Sequence, residues 1–165
     1  MKYSLHALPV WLTGLLLLVA GCKQSLVISD VNYAQPIESV LTPDEEGTVV
    51  DVQHGLSFNI LPLQFAETGD SSAVATRQVR LIRGKQGFYY ITAPGYSNVY
   101  VMAPEKHKLT LKREINIDEE GIEEPAFNQR EAYVQLLDRK TSESYRLTEQ
   151  GILENDNELA SREEN

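Results

Sequence analysis

The sequence predicts an all-β fold: a single β-sandwich, Ig-like or similar, of about seven or eight antiparallel strands, with a small barrel as the alternative. Apolar and polar residues alternate with a period of two, and turn-forming residues separate these segments at intervals of about 8 to 15 residues. Hydrophobic residues make up 42% of the 165 residues and charged residues 24%, as in ordinary globular proteins. We therefore expect one folded domain, residues 36–153, with a tail on either side.

The elements follow in chain order. The first two predicted strands flank a turn at His54 and Gly55, and the last two flank a turn at residues 140–143. No long helical period occurs in the domain, and Phe127–Leu137 is the one segment where a helix is the alternative. The predicted strands are residues 48–52, 56–61, 79–83, 88–92, 99–102, 109–117, 133–137 and 145–147.

The N-terminal 21 residues have the three-part layout of a secretory signal peptide. Lys2 gives the first part a positive charge, and an apolar run follows from Ala7 to Ala20. This run of about 14 residues is shorter than the roughly 20 residues that a membrane-spanning helix needs. The segment therefore predicts export, and the alternatives to a lipoprotein signal are an ordinary signal peptide with a cysteine near the cut by chance and an N-terminal membrane helix.

The apolar run ends in Val19-Ala20-Gly21-Cys22, which resembles the lipobox of bacterial lipoproteins. The resemblance implies cleavage between Gly21 and Cys22, a diacylglyceryl group on the Cys22 thiol and an acyl group on the new amine. Two or three such chains hold a protein on a membrane, whereas one chain does so only marginally. In this family an aspartate after the cysteine retains the protein in the inner membrane, so Lys23 implies the outer membrane, on its periplasmic or its surface face.

Two tails are expected around the domain. Residues 22–35 would form the lipidated tether. Residues 154–165 are polar and acidic, so they cannot bury enough apolar surface to offset the entropy lost on ordering. We expect this acidic tail to be disordered.

Charge excludes one class of partner and leaves another open. A net charge of −9 and a pI near 4.8 disfavour nucleic acid, whose affinity for proteins depends on cationic groups. Residues 77–113 nevertheless hold eight Lys and Arg against the single acid Glu105. These cations either occupy solvated strand faces and pair with neighbouring acids, or form a basic face for an anionic partner such as phospholipid headgroups.

Patterns that carry catalytic or metal chemistry are missing from the sequence. The chain has no GxSxG, SxxK, GxGxxG or GxxxxGK motif and no HxxxH spacing. The acidic phrases at residues 44–46 and 118–120 lack the alternating pattern of a calcium loop, so they predict solvated turns. We predict no metal, and no cofactor beyond the lipid on Cys22. A hydrolase would need His54 or His107 to meet a carboxylate and a hydroxyl in one pocket.

Tyrosines are concentrated around the turn at residues 93–95. Because successive strand residues face opposite sides of a sheet, we expect either Tyr89 or Tyr90 to be exposed or at an edge. Exposed tyrosines bind sugar rings and protein partners, whereas buried ones would serve only as packing. The predicted contact residues are Tyr89, Tyr90, Tyr96 and Tyr100, with Arg80, Arg83, Lys106 and Lys108.

Together these observations predict a non-enzymatic, lipid-anchored module of the bacterial envelope that acts by binding. The expected role is an accessory subunit of an envelope or surface assembly, with an envelope protein as the partner. A glycan-binding surface lipoprotein that uses the same tyrosines is the first alternative, and a hydrolase with an unrecognised site is the second.

Overall fold

A computed structural model describes residues 37–154, in which eleven strands and one helix occur. The predicted signal peptide, Gly21, Cys22, the tether and residues 155–165 of the acidic tail lie outside these residues. The elements are β1 (Ser39–Leu41), β2 (Thr48–Asp51), β3 (Leu56–Asn59), α1 (Leu61–Thr68), β4 (Val79–Arg83), β5 (Tyr89–Thr92), β6 (Asn98–Glu105), β7 (Lys108–Asn116), β8 (Pro125–Gln129), β9 (Val134–Asp138), β10 (Ser144–Thr148) and β11 (Gly151–Ile152).

The strands form two main sheets, and every pairing within them is antiparallel. Five strands lie in the order β1-β4-β5-β6-β7, and four lie in the order β11-β10-β9-β8. Strands β2 and β3 form a separate hairpin. Neither large sheet closes on itself within residues 37–154, so the β-sandwich prediction is confirmed and the barrel alternative is wrong.

The main core lies between the two large sheets. The five-stranded sheet contributes alternate residues, such as Ile82, Tyr90 and Val101, and the four-stranded sheet contributes Leu136 and Leu147. All five are at most 1% exposed. Residues that alternate along each strand therefore close a single apolar layer, as a two-sheet sandwich requires.

A third layer covers the other face of the five-stranded sheet. The β2–β3 hairpin and the start of α1 pack there, with Val49 and Ile60 against Leu81, Tyr89 and Ile91. Strands β4 and β5 are consequently buried on both faces, apart from Arg83 at the end of β4. Such strands have near-continuous apolar sequences instead of alternating ones.

Helix α1 occupies part of a segment predicted to be a strand or a loop. The predicted strand 56–61 ends at Asn59, whose side-chain oxygen accepts a hydrogen bond from the Leu61 amide at 2.9 Å. Pro62 lies in the first turn of the helix, and Gly69 ends it with a φ of 73°. With only 8 residues, α1 is too short to give a clear helical period in the sequence.

No helix in the described part of the chain is long and apolar enough to span a membrane.

Other differences between prediction and structure concern strand ends. Phe127–Leu137 contains β8 and β9 instead of a helix. Strand β6 continues past the predicted end at Met102 and through Pro104, pairing with β7 as far as the turn at Lys106 and His107. We call β6, this turn and β7 the β6–β7 ribbon.

Candidate binding groove

The four tyrosines predicted to contact a partner are buried. Tyr89, Tyr90, Tyr96 and Tyr100 are 6%, 1%, 4% and 0% exposed, respectively. The expectation that Tyr89 or Tyr90 would face solvent is wrong, because the sandwich core takes Tyr90 and the third layer covers Tyr89. None of these rings is available for stacking on a sugar.

Two of these tyrosines join helix α1 to the five-stranded sheet. The Tyr100 hydroxyl donates a hydrogen bond of 2.8 Å to Glu67 Oε1, and the Tyr96 ring meets the Tyr100 ring edge to face at 6.5 Å. Burial raises the pKa of both phenols, and the Glu67 charge raises them further. These groups therefore stay protonated and neutral at physiological pH.

Arg80 is also an interior residue instead of a contact residue. Its guanidinium lies 3.1 Å from Glu38 Oε2, and the other oxygen of Glu38 accepts a hydrogen bond from the Phe127 amide at 2.8 Å. Arg80 and Phe127 belong to different sheets, so Glu38 links the two sheets. The buried position excludes Arg80 from a binding surface.

The remaining predicted cations stay on the surface. The exposed Arg83 guanidinium lies over the Tyr89 ring, 5.6 Å from its centroid. Lys106 lies in the turn of the β6–β7 ribbon and Lys108 directly follows that turn, where its ammonium pairs with Glu105 at 3.0 Å. An ion pair this exposed contributes little to stability, so both lysines can meet a partner.

A groove runs beside this turn, between the β6–β7 ribbon on one side and strand β3 with the start of α1 on the other. It consists of two adjoining cavities of about 340 and 300 Å³, which share Ser57, Phe58, Lys108 and Leu109. We call these two cavities together the hairpin groove.

The two cavities offer different chemistry. Glu105, His107 and Lys108 line the first cavity, where polar and apolar surfaces are about equal. The second is mostly apolar and reaches over Ile91 and Met102 of the five-stranded sheet to Pro62 and Leu63 of α1. The groove can therefore hold apolar side chains at one end and a charged group at the other.

Sequence reasoning missed most of this lining. Phe58, Leu63 and Leu109 look like core residues in the sequence, and all three do pack partly against the third-layer core. Their half-buried state depends on α1 and on the long ribbon, neither of which was predicted. The one available signal was the pair of lysines around His107.

The two histidines of the folded domain have different surroundings. His54 Nδ1 lies 2.6 Å from Asp51 Oδ2, and its ring meets the Tyr89 ring edge to face at 5.6 Å. Burial raises the pKa of Asp51, but the hydrogen bonds and the charge of His54 oppose it, and that pKa lies below its ordinary value. His107 lies in the ribbon turn with a φ of 64° and lines the first cavity. Neither histidine forms a hydrogen bond with a serine or threonine hydroxyl in the contacts found for residues 37–154.

The two acidic phrases form turns, as predicted. Asp44 Oδ1 accepts hydrogen bonds from the amides of Glu46 and Thr48, and Asp118 Oδ1 accepts one from the Glu120 amide. Within residues 37–154, no three His, Cys, Asp or Glu side chains converge as metal ligands.

Comparisons of the chain with protein-family models, with curated proteins and with solved structures found no match.

Proposed function

We propose that this chain is a lipid-anchored protein of the bacterial envelope that binds a partner protein in the hairpin groove. The lipobox resemblance at Val19–Cys22 supports the anchor. The single observation that supports binding is the groove itself, an open concave surface with apolar walls and an end lined by Glu105, His107 and Lys108. We place the protein at the outer membrane, as an accessory subunit of an envelope assembly.

An extended segment of the partner is the occupant that fits this groove best. Two small adjoining cavities suit successive side chains of a peptide, with apolar ones over Leu63 and Met102. Lys108 lines the other end and pairs there with Glu105, so an acidic side chain of the partner would compete for the Lys108 ammonium and fix the register of the bound segment. All four tyrosine rings are buried, so they do not support the alternative of a glycan that stacks on them.

The anchor is tested by the intact mass of protein purified from membranes of the native host. We expect residues 22–165 with added acyl groups. A Cys22→Ala variant should remain unprocessed or become soluble, because the thiol is the attachment point. An unmodified mass for the wild-type protein would contradict the anchor, but it would not test whether the groove binds a partner.

The groove is tested by a photo-crosslinking amino acid at Ser57, an exposed residue that lines both cavities. The matched control carries the same group at Thr141, an exposed residue of the β9–β10 turn. We expect one discrete envelope-protein adduct from position 57 and none from position 141. A Lys108→Glu change should abolish the adduct, because it reverses the charge of the lysine that lines both cavities.

Adducts of equal yield from both positions, or an adduct from position 57 that persists unchanged in the Lys108→Glu background, would overturn the groove as the binding site. Lys108 is exposed, so this change leaves the fold intact.

A further inference from the structure

Most Lys and Arg side chains of residues 37–154 have a partner within the chain. Arg83 lies over the Tyr89 ring, Arg146 lies over the Tyr133 ring, and Arg130 donates hydrogen bonds to Gln135. Five others pair with carboxylates: Arg80, Lys85, Lys108, Arg139 and Lys140.

The cations without such a partner are concentrated in one place. Among the described residues, Arg77, Lys106, Lys112 and Arg113 have no carboxylate within 4.0 Å, and three of these four lie on the β6–β7 ribbon. All three ribbon cations are exposed. In a chain with a net charge of −9, exposed cations that form no ion pair with its acids indicate an external anionic partner.

Two of these cations, Lys112 and Arg113, lie on an edge strand, and Lys106 lies in the ribbon turn. Strand β7 pairs only with β6, so it forms an edge of the five-stranded sheet. Lys112 lies at a register shift between the pairs Val101–Arg113 and Met102–Leu111. Charges on an edge strand also prevent unwanted pairing with other strands. Either sign of charge serves that purpose, whereas the exposed residues of the ribbon carry four cations, Lys106, Lys108, Lys112 and Arg113, against the two acids Glu105 and Glu114.

An exposed apolar side chain lies among the cations. Leu111 is 49% exposed and directly precedes Lys112 and Arg113. Basic side chains next to exposed leucine are typical of surfaces that rest on a lipid interface, where the cations meet phosphates and the apolar group enters the headgroup region.

We propose that Lys106, Lys112 and Arg113 bind the anionic phospholipid headgroups of the membrane that holds the Cys22 anchor. This inference depends on the anchor of the proposed function but not on the hairpin groove. The contact would turn the ribbon edge toward the bilayer and the acidic remainder of the domain away from it.

The distances allow this contact. Residues 22–36 can span at most about 50 Å when fully extended. Strand β1, near the first described residue, and strand β7 form opposite edges of the five-stranded sheet. Four strand spacings separate them, or about 19 Å. The anchor therefore does not prevent the far edge from reaching the same leaflet.

Vesicle co-sedimentation of the mature chain, residues 22–165 with Cys22→Ala, tests the contact without any acyl group. The probes are vesicles of phosphatidylcholine with and without phosphatidylglycerol. The test variant carries Lys106→Gln, Lys112→Gln and Arg113→Gln. The matched control carries Lys85→Gln, Arg139→Gln and Lys140→Gln, which removes the same charge from exposed residues that pair with acids.

We expect the wild type and the control to bind only the vesicles that contain phosphatidylglycerol, and to dissociate at high salt. The test variant should bind about 100-fold more weakly, since three cations each contribute about a factor of five at such a surface. Equal binding by the two variants, or no wild-type binding to anionic vesicles, would overturn the proposal and indicate an acidic protein or polymer as the ribbon's partner. The acyl mass of the native protein would be unaffected by either outcome.

Discussion

Asp51 is a buried acidic residue whose carboxylate is surrounded by hydrogen-bond donors. Its carboxylate is 2% exposed, yet it accepts hydrogen bonds from the Gln53 amide, the His54 amide and the His54 ring. These bonds close the turn between β2 and β3 and fix the hairpin that covers Tyr89. A buried acid with this many donors is stabilised in its charged form.

An Asp51→Asn change should therefore destabilise the protein by about 1–3 kcal/mol at neutral pH, because charge-assisted hydrogen bonds are lost. The pKa of Asp51 is lower in the folded state than in the unfolded state. Its contribution is thus fully present above the unfolded pKa of about 3.9 and disappears as the pH falls through the folded pKa.

Urea unfolding of the wild type and of Asp51→Asn between neutral and strongly acidic pH measures the difference in their free energies of unfolding. The exposed Glu119→Gln serves as the control and should have little effect at any pH. A wild-type advantage that stays constant down to strongly acidic pH would show that the Asp51 charge is not responsible.

One side chain of helix α1, Glu67, makes four hydrogen bonds with the start of β6, beside the apolar packing of Leu63. The Glu67 carboxylate accepts hydrogen bonds from the amides of Ser97 and Asn98, from the Asn98 side chain and from the Tyr100 hydroxyl, at 2.8–3.2 Å. The helix forms one wall of the hairpin groove, so Glu67 positions that wall.

A Glu67→Ala change should cost about 2–4 kcal/mol of stability, because several half-buried donors lose their acceptor together. Amide hydrogen exchange at Ser97 and Asn98 should become faster than in the wild type under conditions in which the domain stays folded. Glu67→Gln keeps one acceptor oxygen and should cost less. Ala66→Gln, at the exposed neighbouring position, provides the control. Unchanged exchange at both amides in Glu67→Ala would show that the helix is held by apolar packing alone.

The elements differ in how much of them could be predicted from sequence. The alternating sequence of β7 identified it as a strand, but its burial does not follow that alternation: residues 111–114 are all exposed, and Ile115 is the one buried residue of the strand. The YYIT segment of β5 was correctly predicted as a strand, but the prediction that Tyr89 or Tyr90 would be exposed was wrong. The sequence of one strand carries no information about a second layer that covers its outer face. Pro104 suggested a strand end, yet β6 continues because proline is tolerated where the ribbon extends past the core. The groove needs both α1 and this extension, and therefore could not be predicted.

At the scale of the whole molecule, the five-stranded sheet is shared by two cores. Adjacent residues of β4 face opposite sides: Leu81 packs under the third layer and Ile82 packs in the sandwich core. Because the same strand belongs to both layers, neither core can be lost without disturbing the backbone of the other. We therefore expect the domain to unfold as one cooperative unit.

Two matched substitutions test this coupling, one in each core. Leu81→Ala and Leu136→Ala both truncate a leucine that is 0% exposed, so each should cost about 2–5 kcal/mol. Val52→Ala, at a side chain that is 88% exposed, should change stability by less than about 0.5 kcal/mol. Urea unfolding followed by far-UV circular dichroism and by tyrosine fluorescence should give coincident single transitions with an unchanged slope for all variants. An early separate transition in Leu81→Ala alone would show that the β2–β3 layer opens independently. The hairpin groove, which this layer borders at β3, would then exist only while that layer is closed.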